Sequence, residues 1–129
     1  MITGLTHLSL FVHDQDEALN FYTKKLGFEV HTDVLMPNGE RWLTIHPEGQ
    51  KEFEIALMYA DTTEQKAVVG KQAPLVPFFC VSTDDCKREV ELFKKNGVKI
   101  LSEPEEMPWG IGATLADLYG NSIYMVQAN

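Results

Sequence analysis

One stretch of this chain occurs twice. Residues 5–28 run Leu5-Thr6-His7-Leu8-Ser9-Leu10-Phe11-Val12, an acid-headed segment, then Lys24-Lys25-Leu26-Gly27-Phe28. Residues 75–98 run Leu75-Val76-Pro77-Phe78-Phe79-Cys80-Val81, a second acid-headed segment, then Lys94-Lys95-Asn96-Gly97-Val98. Each copy reads as a strand, a helix closed by Lys-Lys-x-Gly, and a following apolar or aromatic run. A repeat of this length is a duplicated supersecondary unit, and neither copy is expected to bury its apolar face alone. The groove between two such units is the first place to look for function.

Alternation and capping extend the pattern. In a first strand over about Thr6–Val12, Leu8, Leu10 and Val12 share one face; His7, Ser9 and Phe11 share the other. Asp14 is placed to cap the next helix, with Glu17 three residues on. Leu19, Tyr22 and Leu26 are its apolar stripe, and Gly27 is its C-terminal stop. Strands are expected near 28–35, 41–45 and 52–59, with Pro37-Asn38-Gly39 turning between the first two. The polar stretch 61–74 is a joint. The second half repeats the order: a strand near 75–81, a helix from Thr83 or Asp84 to Asn96 and a strand at 98–101. A loop over Glu103–Pro108, which contains both Pro104 and Pro108, leads to strands at 111–116 and 122–127. The expected fold class is α+β, with two β-α-β-β-β modules in a cupped mixed sheet around a cavity. Module one is about 1–60 and module two about 75–129, within one domain over 1–129.

Composition narrows the partners. The 129 residues suffice for one domain with a real core. The net charge is −8 and Lys and Arg are not clustered, which argues against nucleic acid or an anionic membrane as partner. No apolar run approaches a membrane span, and the N-terminus has no secretory pattern, so a cytoplasmic location is expected. Cys80 and Cys86 lack metal-ligand spacing and read as small buried residues.

Thr6-His7-Leu8-Ser9-Leu10 with Phe21-Tyr22 and Leu26-Gly27-Phe28 opens the first module, and Asp117-Leu118-Tyr119-Gly120-Asn121-Ser122-Ile123 closes the second. Gly97-Val98 through Glu103-Pro104, then Pro108-Trp109-Gly110, lie between. In that order, on a duplicated frame, these pieces resemble the vicinal oxygen chelate superfamily: glyoxalases, bleomycin-resistance proteins, extradiol dioxygenases and fosfomycin-resistance enzymes. The resemblance implies paired modules cupping a cavity, a homodimer, and, in metal-dependent members, one ligand on the first and last strand of each module. Carried over, those positions are His7 and Glu54 in module one. In module two they fall on one of Val76, Pro77 or Phe78, and on Tyr124, where active relatives carry Glu. Two of four expected ligands are thus apolar or phenolic, and a catalytic site ordinarily has about three protein ligands.

The expected function is therefore a metal-free, dimeric protein that binds and sequesters a small molecule, with no cofactor. The alternative is a glyoxalase-like lyase or isomerase, or a dioxygenase, using Zn, Fe, Mn or Ni at an irregular site of His7 and Glu54. The candidate pocket is lined by Phe11, Met58, Phe78, Trp109, Tyr124 and Trp42, with His7, Ser9, Arg41 and Glu54 as polar points. An aromatic cavity with few polar groups suits a planar compound, and Glu54 favours a cationic one. Glu54 is also placed to pair with Arg41. Trp109, beside Gly110, reads as a gate. His13, His31 and His46 read as surface residues, with His46 the best placed of them to reach a groove.

Overall fold

The structure, a computed structural model, describes residues Met1–Asn129. The chain divides into two compact units, Met1–Val69 and Gly70–Asn129. Each has the same plan.

In the first unit, β1 (His7–Val12) leads into α1 (Gln15–Asn20) and a π-helical turn over Phe21–Lys25. Then come β2 (Glu29–Leu35), β3 (Arg41–His46) and β4 (Glu54–Tyr59), and a short α2 (Thr63–Val68). The sheet order is β1-β4-β3-β2, with β1 parallel to β4 and the other pairs antiparallel. The Asp14 carboxylate accepts from the Glu17 N–H at 2.9 Å and starts α1. Strand alternation does the rest. Leu10, Val12, Leu43, Ile45 and Leu57 are fully buried on the helix side, against Ala18 and Tyr22. Their neighbours along each strand face the opposite way.

The second unit repeats this with β5 (Phe79–Ser82), α3 (Cys86–Lys95), β6 (Lys99–Met107), β7 (Gly110–Ala116) and β8 (Ser122–Ala128), in the order β5-β8-β7-β6. Asp85 caps α3 by accepting from the Arg88 N–H at 3.1 Å. Cys86, Val90 and Phe93 bury one stripe of α3, while Leu115, Ile123 and Met125 bury the helix side of the sheet. The fold is α+β, two four-stranded mixed sheets with few helices.

Three expectations differ from the structure. The polar joint contains α2, whose Thr62 and Gln65 form a reciprocal capping box. The expected loop over Glu103–Pro108 is mostly strand: β6 runs to Met107. It is an edge strand, where the missing N–H of Pro104 costs no ladder bond, and the register shifts between Ser102 and Glu105. The strand expected from Leu75 begins only at Phe79, because Leu75 takes a left-handed φ of 68°.

Candidate functional site

The first unit gathers polar groups on the sheet face away from α1. His7 stands opposite Glu54, Ser9 opposite Ala56, and Phe11 opposite Met58. Thr44 is paired with Ala56, so alternation along β3 puts Trp42, Thr44 and His46 on this same face. The Glu54 carboxylate is the hub. Its Oε1 accepts from the Thr44 hydroxyl at 2.6 Å and from His31 Nδ1 at 2.8 Å. The His31 ring lies edge-on to His46, with centroids 5.8 Å apart. His46 Nδ1 donates to the Pro47 carbonyl at 2.7 Å, which leaves Nε2 the acceptor in the neutral ring. His7 packs edge-on against Trp42 at 5.4 Å and shares a hydrogen bond of 3.1 Å with Thr6.

Three expectations for these residues change. Arg41 is not on this face. Its position in β3 alternates with Trp42 and Thr44, so the guanidinium points to the α1 side, donating to Asp33 at 2.8 and 2.9 Å and to Asp16 at 2.7 Å. Those bonds hold the Asp33 carboxyl below its usual value and push Arg41 further up. Arg41 is therefore not Glu54's partner either. His31 is at the surface as expected, and it also reaches Glu54, because the β2–β3 register shifts between Val30 and Thr32 and frees it from regular alternation. His46 is buried rather than at the surface.

The corresponding face of the second unit is aromatic. Tyr124 stands opposite Cys80 on β5 and Thr114 on β7. Its ring lies over Gly112, where a Cβ would come within 1.8 Å of the phenolic oxygen. The Trp109 indole N–H donates to that oxygen at 3.0 Å, with the indole itself 53% exposed. Trp109 sits in a two-residue turn, since Met107 pairs directly with Gly110. Asn129 ties that turn down, through bonds to the Trp109 and Pro108 carbonyls. Gly110 is thus not a flexible hinge. A Cβ there would lie 2.1 Å from the Gln127 carbonyl oxygen, so close approach of two strands requires glycine. Cys80, expected to be buried, is an exposed thiol on this face; Cys86 is buried, which raises its pKa. Phe78 lines a cavity of about 460 Å³ within this unit.

The duplicated registers also sort the expected ligand positions. The Phe78 N–H donates to the Ser122 carbonyl, and Cys80 faces Tyr124; in the first unit His7 faces Glu54, and Ser9 faces Ala56. Counting each helix from its capping Asp14 or Asp85, His7 corresponds to Phe78 and Ser9 to Cys80. The counterpart of Tyr124 is then Ala56, and the counterpart of Glu54 is Ser122. The family pattern equates Glu54 with Tyr124, but they stand one pleat apart. No group of three or more His, Cys, Asp or Glu side chains is placed to hold a metal ion. The donor set does not fit a catalytic metal centre of the usual kind.

Comparison with known proteins agrees with this architecture. The model of the Glyoxalase/Bleomycin resistance protein/Dioxygenase superfamily matches residues 4–125. The chain belongs to that superfamily. An uncharacterized protein of Shewanella frigidimarina (strain NCIMB 400) is 33% identical over 130 residues, covering 100% of this chain and 96% of the relative. Among solved structures, UcmS2 superposes with a TM-score of 0.88 at 29% identity, over 99% of this chain and 100% of that one. TnmS3, an antibiotic binding protein from Streptomyces sp. CB03234, gives 0.82 at 27% identity, over 99% and 98%. The superfamily member also has no helix long and apolar enough to cross a membrane.

Sequence reasoning passed over Thr44, the donor that holds Glu54. Its signal was present: in β3, positions 42, 44 and 46 must share a face. Nothing in the sequence pointed to His31, because a register shift is not visible in residue types.

Proposed function

We propose that this superfamily member is a metal-free small-molecule-binding protein that sequesters an aromatic compound, acting as a cytoplasmic homodimer. One observation carries the reading. At Tyr124, where relatives with a metal centre present a carboxylate, the side chain is a phenol already engaged by Trp109. Together the two rings offer an exposed, hydrogen-bonded aromatic surface, which suits stacking rather than ion ligation. The likeness to TnmS3, an antibiotic binding protein, over nearly the full length of both chains supports the same reading.

The test is elemental analysis of protein purified without chelator, together with titration of planar aromatic compounds followed by indole fluorescence. Metal well below one equivalent per chain, and saturable quenching with the compound recovered chemically intact, is the expected result. Stoichiometric metal with turnover would refute it.

A second reading rests on the first unit. His7 and Glu54 are register neighbours, and Glu54 is braced by Thr44 and His31. That arrangement supports a lyase, isomerase or dioxygenase with an irregular metal site. It predicts that His7→Ala and Glu54→Gln each remove both metal and turnover.

A further inference from the structure

One row of side chains crosses the whole sheet of the first unit. His7 on β1 stands opposite Glu54 on β4. Ile45 faces Ile55, which sets the next residue of β3, His46, against Glu54. His46 in turn stands opposite Glu29 on β2. Residues that face each other across a ladder project to the same side, so imidazole and carboxylate alternate along the face turned away from α1. His31 joins the row at the β2 register shift. None of the residues that alternation places on this face is Lys or Arg, since Arg41 lies on the other side.

His46 and Glu54 are both anchored, and each keeps an acceptor unused. His46 is only 4% exposed, and its Nδ1 is engaged by the Pro47 carbonyl at 2.7 Å. Its Nε2 makes no hydrogen bond within the protein and still touches solvent, Asn121 Oδ1 being the one unpaired side-chain atom that is sealed away. A ring almost wholly packed away thus keeps an acceptor open to the face. Glu54 Oε1 accepts from the Thr44 hydroxyl and from His31 Nδ1, while Oε2 has no partner within the protein. Because a carboxylate oxygen only accepts, His31 Nδ1 carries the proton, which it shares with Thr32 Oγ1 at 2.8 Å, and Nε2 is the acceptor in the neutral ring. The row therefore offers Glu54 Oε2, His46 Nε2 and His31 Nε2 as acceptors, around a carboxylate with no Lys or Arg beside it.

A group that completes such a row must donate and must be positive. A metal ion needs its donors about 2.0–2.2 Å from a single point, and no three side chains here are so placed. A planar N–H fork has separated nitrogens and meets each acceptor at about 2.9 Å, so it spans acceptors that an ion cannot bring together. We infer that this row binds an amidinium or guanidinium group, its charge on Glu54 and one of its N–H bonds donated to His46 Nε2. The inference goes beyond the aromatic face of the second unit and does not depend on it.

The probe is benzamidine, a cation at neutral pH, with benzamide as the neutral planar control. Both are titrated into the full chain at about pH 8, above the ordinary imidazole range, and followed by NMR of the histidine rings and indole N–H groups. Benzamidinium moves the His46 and His31 ring resonances and binds at least about tenfold more tightly than benzamide, the scale of a hydrogen bond to a charged group. Glu54→Gln keeps an acceptor for Thr44 but removes the charge, and it cuts that preference below about threefold. Glu29→Gln, an exposed change that leaves the fold alone, weakens benzamidinium about twofold and benzamide not at all. Equal affinity for the two compounds overturns the inference, as do unmoved His46 resonances or no binding at about 10 mM. Zinc that moves the same rings at one equivalent and excludes benzamidinium overturns it in favour of a metal site, and removes the metal-free reading as well. Shifts confined to the Trp109 indole overturn this row as the site and leave the reading of the second unit standing.

Discussion

At the scale of single residues, the two faces place opposite demands on their hubs. Glu54 is a half-buried carboxylate whose charge is held by a neutral hydroxyl and an imidazole rather than by Arg41. Hydrogen bonds to charged groups contribute about 1.5–3 kcal/mol, so Thr44→Val should lower stability by that much in urea denaturation at pH 7. Glu54→Gln should cost less, because the amide oxygen still accepts from Thr44. If the two variants lost equal stability, the hydroxyl would not be holding a charge. Gly112 makes the complementary case. Gly112→Ala drives a methyl into the Tyr124 ring, at about 1–3 kcal/mol, and displaces the phenol from Trp109. Adding Tyr124→Ala to it should recover much of that loss. A double mutant as unstable as the sum of the singles would show that the ring is not the obstacle. Asp33 supplies a pH signature. Its folded pKa is depressed by the hydrogen bonds from Arg41, so its contribution is complete above the unfolded value of about 4 and fades as pH falls through the lower folded value. The Asp33 side chain is more than a third exposed and the pair is screened, so its size is about 0.2–1 kcal/mol. Asp33→Asn should therefore lower the urea midpoint at pH 7 and converge with the parent protein in strong acid. A gap that widens on acidification would mean that Arg41 does not hold the Asp33 carboxyl below its usual value.

At the scale of elements, what the sequence disclosed was whatever depends on local pattern. The capping aspartate of α1, the alternation of β1 and β4, and the apolar faces of β7 and β8 all follow from residue type and spacing, whereas α3, expected to start at Thr83 or Asp84, starts at Cys86 with Asp85 as its cap. Three things needed tertiary context. Pro104 reads as a loop former until β6 is known to be an edge strand. There the chain is also fastened to α3 by the ion pair of Lys94 with Glu103. The side of the sheet that Arg41 occupies was fixed by alternation, but its length and charge suggested a partner across the face. The left-handed Leu75 carries no glycine signal and cut the expected strand short. The helix α2 was legible and overlooked: Thr62-Thr63-Glu64-Gln65 holds a complete capping box. This helix buries no residue of its own, so the cap carries much of its order. Thr62→Ala should cost about 1 kcal/mol locally and speed amide exchange across Thr63–Val68, with little change in β1 or β4. Global loss of stability without faster exchange in that segment would contradict this.

At the scale of the whole molecule, duplication supplies a frame that sequence divergence has filled in two ways. One copy sets His7, Glu54, Thr44, His31 and His46 on its sheet face; the other sets Tyr124, Trp109, Cys80 and Thr114 there. The frame was readable because its repeats are written in strand periodicity and caps. The divergence in the site was only partly readable, because the family pattern lines up residue types while the register decides which of them are neighbours. Glu54 is the example: a carboxylate near the expected place, one pleat from the position that corresponds to Tyr124. That displacement bears on metal dependence, and linkage makes the consequence measurable. An ion held with nanomolar affinity by the folded chain alone adds about 4 kcal/mol when free metal stands a thousandfold above its Kd. For a chain of this length, such a contribution shifts Tm by more than about 8 °C. Exhaustive EDTA dialysis should leave Tm within about 1 °C, and zinc, manganese or nickel added back should not raise it. A fall of many degrees on chelation, restored by one of those ions and abolished by Glu54→Gln, would mean that the first unit's carboxylate and imidazoles close around a metal after all.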